Sequence, residues 1–359
     1  MNLEDLDIGF LSFNLEYLNN TYYNLNNIEQ NDFKNNILND FKQNLNIKKN
    51  IWIIITQEDN NNSIFCKIIQ NYLKENNFEL LKYKKEGRSI LGISTKFFLH
   101  LSIFIKKDII NNIKFKHTKI ITHLSGVKKF LKTKNTIICN IQVLTKEHKL
   151  NNNNTYNNIF IIGSHLPVKT KEIILFGYNT RINIINNILK YLHNYIIKEP
   201  NENIGNHILW IGDLNFRLEK KNKIESDQIT KYIKNTKKNI NIPIKLFDLS
   251  NIKKYGPTCK INIGNIKHTK KCIKQYTGKE IPDEECYKIN INKNKIILPS
   301  YCDRILGWSE GKYILSSKVK PLIHTFFTQF SDHNPILGDI YFIKNNKYQT
   351  NIKKISKKI

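Results

Sequence analysis

The strongest constraint on this chain is a series of short, β-branched apolar runs bounded by polar turns: Ile8 to Leu15, Ile51 to Thr56, Leu99 to Ile105, Thr136 to Val143, Ile159 to Ser164, His207 to Ile211, Tyr301 to Trp308 and Ile336 to Ile343. Runs of this kind read as strands, and they are far too short to span a membrane. Between them lie amphipathic stretches with helical spacing, Asp32 to Asn44, Ser63 to Asn76 and Thr180 to Ile197, while the charged stretch Glu219 to Lys238 reads as helix or loop. Strands and helices mix throughout. The pattern predicts one α/β (α+β) domain over residues 8–343, followed by a basic tail over 344–359 that reads as solvated or as a docking element for anionic lipid.

Of the 359 residues, 40% are apolar, enough for a sizeable core. Asn, Lys and Ile are used heavily, as in an AT-rich coding sequence, so composition guides function only weakly. The balance of 57 Lys and Arg against 30 Asp and Glu gives a net charge of +27, which favours anionic partners and argues against a cationic substrate, unless the lysines are simply a solvated surface supplied by codon usage. The six cysteines (Cys66, Cys139, Cys259, Cys272, Cys286, Cys302) form no C-x-x-C pair, so reduced thiols are expected, with neither a zinc site nor a disulfide scaffold. The N-terminus lacks a basic stretch followed by a long apolar core, so the expectation is a soluble, cytoplasmic protein without a signal peptide.

Three strings place polar groups at the ends of strand-like runs: WIGDLNFRL (Trp210 to Leu218), PSYCDRIL (Pro299 to Leu306) and SDHNP (Ser331 to Pro335). Singly, each reads as turn chemistry; together they read as a site. In GDLN, Asp213 and Asn215 are two apart and share a face of an extended backbone, one a potential base and the other a neutral donor. Asp332 adjoins His333, with Pro335 stopping regular pairing beyond them. Asp303 adjoins Arg304, whose guanidinium either compensates that acid or grips a phosphate. Glu58 and Asn14 each close an apolar run and offer hard oxygen ligands, which favour magnesium over zinc. His165, in IIGSHLP, also stands at a strand end.

Together these strings resemble the catalytic domain of the inositol polyphosphate 5-phosphatases, within the wider endonuclease/exonuclease/phosphatase superfamily, over nearly the whole chain. The family patterns W-x-G-D-x-N-[FY]-R, P-S-[WY]-C-D-R-[IV]-L and S-D-H-x-P match at Trp210 to Arg217, Pro299 to Leu306 and Ser331 to Pro335. The second pattern is the one specific to the inositol phosphatase branch. The resemblance implies a four-layered sandwich of two mainly antiparallel β-sheets packed face to face and flanked by helices. It also implies that Glu58, assisted by Asn14, holds Mg2+, that Asp213 activates the attacking water, and that Asn215 positions water and phosphate. Asp303 would orient His333, with His333 and His165 facing the phosphoryl oxygens and Asp332 close to the metal.

Substrate contacts carried over in the same way are Lys260 of PTCK, Arg304, Tyr301, Lys295 and Lys169. The chain also departs from the pattern. Cys259 replaces an aromatic residue, Ile297 replaces an arginine, Lys169 stands where a second histidine is usual, and the glycine-rich segment survives only faintly around Ser125 to Phe130, with Lys128 and Lys129 as possible replacements for its contacts.

The expected function is therefore Mg2+-dependent hydrolysis of the 5-phosphate of a phosphoinositide or soluble inositol polyphosphate by direct attack of water, since no Cys-x5-Arg nucleophile signature is present. Lipid signalling and peripheral contact with an anionic membrane surface follow from that reading, and nucleic acid is not an expected partner. The alternatives are a nuclease on the same scaffold and a non-catalytic phosphoinositide-binding module. The sequence leaves the oligomeric state open.

Overall fold

The computed structural model describes residues 1–16, 18–87, 98–125, 131–145, 155–167, 174–198, 203–216, 227–239, 243–250, 256–277, 285–287, 291–292, 295–296, 300–310 and 313–345. In chain order the strands are β1 (Ile8–Asn14), β2 (Ile51–Asp59), β3 (Phe78–Glu86), β4 (Phe98–Lys106), β5 (Ile113–Ser125), β6 (Leu131–Thr145), β7 (Thr155–His165), β8 (Asn203–Asp213), β9 (Phe247–Asp248), β10 (Ile291–Asn292), β11 (Lys295–Ile296), β12 (Asp303–Ser309), β13 (Tyr313–Pro321) and β14 (Ile336–Lys344). The helices are α1 (Leu18–Tyr23), α2 (Asn27–Asn44), α3 (Ile64–Glu75), α4 (Ile174–Lys198), α5 (Gln228–Asn239) and α6 (Lys270–Tyr276).

Two six-stranded sheets form the body, in the orders β13-β14-β1-β2-β4-β3 and β5-β6-β7-β8-β12-β9. Apart from the parallel pairs β1/β2 and β7/β8, their neighbouring strands pair antiparallel. Alternation along each strand sorts side chains into layers. Ile53 and Ile55 of β2 meet Ile161, Leu209 and Ile211 of the other sheet in one buried cluster between the sheets. Trp52 and Ile54 face the opposite way, into the helical layer with Phe41 and Phe65. Ile162 and Trp210 likewise face Ile185, Ile188 and Ile229 of α4 and α5. Both sheets are thus covered on both faces, which is why their central strands read as continuous apolar runs. The four-layered sandwich is the observed architecture.

The runs at Ile8, Ile51, Leu99, Thr136, Ile159, His207, Tyr301 and Ile336 all fall on strands; besides the two-residue strands β9, β10 and β11, the strands β3, β5 and β13 are additional. These last three lie at sheet edges. Their sequences, FELLKYKKE, IKFKHTKIITHLS and YILSSKVKP, carry lysines where a central strand carries apolar residues. Lysine on an edge strand discourages pairing with another chain, and it also hides the strand from a search for apolar runs.

The expectation of reduced cysteines throughout is corrected at one pair: Cys272 of α6 and Cys286 form a disulfide, in a small cluster with Tyr276, Tyr287 and Ile261. Their separation of 14 residues carries no metal or redox spacing, so nothing in the local pattern marks the pair. Cys66, Cys139, Cys259 and Cys302 are free thiols. Among the described residues no helix is long and apolar enough to cross a membrane.

Candidate active site

The strand ends bring the polar groups together. β7 ends at His165 and β8 at Asp213, which are register partners, and Asp213 in turn faces Asp303, the first residue of β12. Gly212 makes this close pairing possible: its φ is +143°, and a Cβ there would stand 2.1 Å from the carbonyl oxygen of Ser164. From the other sheet come Asn14 at the end of β1 and Glu58 near the end of β2.

Asp213 is the hub. Its Oδ2 accepts from Asn14 Nδ2 at 3.2 Å and lies 3.4 Å from His165 Nε2, while its Oδ1 accepts from the backbone N–H of Asn215 at 3.0 Å. The Asn215 side chain donates to the carbonyl of Leu166 at 2.8 Å, which fixes the GDLN turn against the end of β7. His165 Nε2 is also 3.6 Å from Glu58 Oε1. Across the site His333 Nδ1 lies 2.9 Å from Asp303 Oδ2, and its Nε2 lies 3.6 Å from Asp332 Oδ1. Ser331 Oγ donates to the carbonyl of Asn14 at 2.6 Å, and the Asp332 N–H donates to Glu16 at 2.8 Å, so the SDH turn is pinned to the end of β1.

Backbone geometry marks the same place. Among the described residues, the non-glycine residues with positive φ are Glu16, Glu58, Asn77, Asn215 and Lys260, and all but Asn77 belong to this cluster. Left-handed backbone in such residues is disfavoured, and it persists where the surroundings impose it.

Electrostatics separates the roles. Burial alone would discharge His333, but Asp303, Asp213 and Asp332 outweigh it and push the imidazole up to about 10. His165 moves the other way: burial, reinforced by the ammonium of Lys134, lowers it despite Asp213 and Glu58. Burial would raise the acid Asp213, yet its bond to His165 and the charges of His333 and Lys134 hold it well below the usual carboxylate range. Asp303, wholly buried, is raised by that burial even with His333 beside it. Near neutral pH the site therefore holds one charged imidazole, one neutral imidazole and an ionised Asp213, a division suited to acid and base work on one substrate.

Several residues were not anticipated. Lys134 of β6 places its Nζ 3.1 Å from Glu58 Oε1 and against both ring nitrogens of His165. In a chain so rich in lysine nothing singled it out, apart from its standing two residues before Thr136, which bonds Ser164 at the same strand ends. Lys267 is wholly buried and donates to the carbonyls of Thr328, Ser331 and His333, holding the SDH turn from behind.

The substrate contacts fare differently. Lys260 does reach the site, where its Nζ bonds Asp332 Oδ2 at 2.8 Å with a quarter of the side chain exposed. Arg304 does not: it is wholly buried, with its guanidinium paired to Asp227 and Asp248 at 2.5 Å each and to the carbonyl of Tyr301. It neither grips a phosphate nor compensates Asp303. β12 alternates, so Asp303 and Arg304 point to opposite faces, and a buried guanidinium takes the carboxylates on its own side. Tyr301 packs under Arg304, 5.6 Å from ring centre to guanidinium, and burial pushes its hydroxyl up to about 12. Cys259 is buried against Cys302, their sulfurs 2.6 Å apart. The side chain of Lys295, Lys169, Lys128, Lys129 and the tail from 346 onward lie outside the described residues.

A family profile, Endonuclease/Exonuclease/phosphatase family 2, matches residues 21–339. The chain belongs to the endonuclease/exonuclease/phosphatase family. Cimex nitrophorin shares the fold at 16% identity, over 94% of this chain and 98% of that one, with a TM-score of 0.52. TDP2 from C. elegans (12% identity, 95% of this chain and 77% of that one, TM-score 0.49) and the catalytic domain of human nocturnin (10%, 94% and 95%, 0.46) are also similar. At these identities the likeness is one of fold alone. No curated protein matches the chain significantly.

Members of the endonuclease/exonuclease/phosphatase family are hydrolases that generally use divalent metal ions, and the residues here fit one. Asn14 Oδ1 is buried without a hydrogen-bond partner. It belongs to the amide that contacts Asp213, which with Glu58 provides only hard oxygen donors. Glu58 is held to about 2, against its burial, by Lys134, His165 and His333, so it stays ionised and ready to hold a cation.

Proposed function

We propose that this protein hydrolyses the 5-phosphate of a phosphoinositide or inositol polyphosphate, with Mg2+ as its ion. The observation that carries the hydrolytic part is the convergence of ionised Asp213 and charged His333, each fixed by further acids and amides. Two features support the inositol branch: the PSYCDRIL string, and Lys260 of PTCK standing part-exposed beside Asp332.

Asp213 takes the proton from the attacking water, with its orientation set by Asn14 and the Asn215 N–H. His333, kept charged by Asp303, donates to a phosphoryl oxygen and so stabilises the charge that builds there. His165, neutral, holds Asp213 and Glu58 in register. Glu58 and Asn14 would hold the Mg2+, which supplies neutralisation of phosphoryl charge. Lys260 and Lys134 extend a positive field over the departing phosphate. A net charge of +27 and lysine-rich sheet edges favour approach to an anionic lipid surface, the setting in which a phosphoinositide would be met.

A nuclease is the second reading. Its specific support is the same positive charge, which would supply the salt-dependent part of nucleic acid affinity. Arg304 gives no help to either reading, being enclosed. Phosphate release from a panel of inositol lipids and soluble inositol phosphates, with and without Mg2+ and beside a plasmid-nicking assay, separates them. Release from 5-phosphorylated inositols that is abolished in Asp213→Ala and His333→Ala is the expected result. Nicking without phosphate release would overturn it in favour of the nuclease.

A further inference from the structure

One group of potential metal ligands stands apart from the active site. Asp59, Cys66 and His100 are all buried, and each offers a ligand atom within 4.8 Å of the others. They come from three elements: Asp59 is the last residue of β2, Cys66 lies in the first turn of α3, and His100 on β4 is the register partner of Thr56. A β-bulge between Thr56 and Asp59 turns the strand end at this point. Glu58 serves the active site, while Asp59 faces the helical layer and accepts from Asn19 of α1 at 2.7 Å.

The donor chemistry is mixed. Asp59 Oδ2 accepts from Thr56 Oγ1 at 2.6 Å and from the Cys66 thiol at 3.5 Å. Thr56 Oγ1 is itself 3.5 Å from Cys66 Sγ, so a hydroxyl stands inside the same group. Tyr83 of β3 occupies Nδ1 of His100 at 2.7 Å, which orients the ring as an outer partner does for a ligating histidine. The carbonyl of Asn60 stands beside the His100 ring, but Nε2 makes no hydrogen bond of good geometry although the residue is 1% exposed. A purely structural network would leave that nitrogen at a cost, since a buried unsatisfied polar group is destabilising. One thiol, one imidazole and one carboxylate form a zinc-type donor set, and the sulfur disfavours magnesium or calcium.

We propose that Asp59, Cys66 and His100 form a second cation site, selective for zinc, that ties the end of β2 to α3 and β4. Binding exchanges the Cys66 thiol proton for the metal and releases that proton to solvent; a water or Thr56 Oγ1 completes four-fold coordination. The site lies next to Glu58 in the chain and holds the strand end where Glu58 adopts its φ of 50°. It is thus a structural clamp behind the catalytic carboxylate, and it stands whether the substrate is an inositol phosphate or a nucleic acid.

The test is Co2+ titration of the metal-stripped full-length protein in excess Mg2+, read as the thiolate-to-cobalt charge-transfer band in the near ultraviolet. One equivalent should produce the band, and Zn2+ should remove it. Cys66→Ser should lack it, His100→Gln should weaken binding by at least about ten-fold, and Cys259→Ser/Cys302→Ser should keep it. Absence of the band from the wild-type protein overturns the proposal without need of any variant. Its persistence in Cys66→Ser assigns the thiolate elsewhere and overturns it as well. Since no turnover is measured, neither outcome bears on the hydrolase reading.

Discussion

The Nδ1 of His333 lies 2.9 Å from Oδ2 of Asp303, and these two residues reach each other from β12 and from the turn before β14, which belong to different sheets. The pair therefore reports on how the two sheets are assembled as well as on the charge of the imidazole. Asp303 is buried with His333 as its ionic partner, so the carboxylate and the ring determine each other's protonation.

Asp303→Asn keeps the shape and removes the charge that sustains the imidazolium. We expect turnover to fall by about 10²–10⁴-fold with the fold unchanged by circular dichroism. The alkaline limb of the rate profile, set by His333 near 10 in the wild-type protein, should move toward neutral pH in whatever activity remains. An unmoved limb would assign the charge on His333 to another acid.

Lys134 bears on metal affinity. Its ammonium lies 3.1 Å from Glu58 Oε1, on the carboxylate assigned to the cation. Lys134→Met should let the divalent ion bind several-fold more tightly, because a competing positive charge is gone. Turnover at saturating Mg2+ should fall, because His165 and Glu58 lose the group that spaces them. Measuring rate against Mg2+ concentration separates the two effects; weaker metal binding in the variant would contradict this placement.

The sequence made the centre of the fold and the rim of the site legible, and the edges and the second contacts illegible, for one reason. Central strands are covered on both faces, so Ile51 to Ile55 can only be apolar, and their polar ends announce themselves: Asn14, Glu58, His165 and Asp213 all stand where such a run stops. Edge strands such as β5 are half solvated and merge with the general lysine background. Partners distant in sequence leave no local trace. Arg304 adjoins an acid of the candidate site, yet the sidedness of β12 sends it to Asp227 and Asp248, and the short-range pattern C-D-R gives no hint of this. Asp59, Cys66 and His100 likewise meet only through the packing of β2, α3 and β4.

Arg304 accordingly predicts a stability phenotype. Removing the guanidinium in Arg304→Met strands Asp227 and Asp248 opposite an apolar side chain, a change worth about 3–5 kcal/mol for a broken buried pair. Thermal melting should show that loss, while KM for any substrate stays near the wild-type value at a temperature where the variant is folded. A large rise in KM with unchanged stability would return Arg304 to the substrate.

Lys267 and His333 give opposite pH dependences of stability over the same range. His333 is raised to about 10 in the folded protein, so its contribution is complete below its unfolded value of about 6.5 and is lost as pH rises toward 10. Burial lowers Lys267 to about 7, so between 7 and its unfolded value near 10.4 the unfolded chain binds more protons, and stability rises with pH. In the metal-stripped wild-type protein the two slopes oppose each other between about pH 7 and 10. Lys267→Met removes one of them. Its unfolding free energy, measured by urea titration at several pH values, should fall across this range by up to about 1.4 kcal/mol per pH unit, the slope for a single proton. The variant should also start less stable, because the carbonyls of Thr328, Ser331 and His333 lose their donor. A variant whose pH slope matches that of the wild-type protein would show that Lys267 stays charged throughout and leaves the pH dependence to other groups.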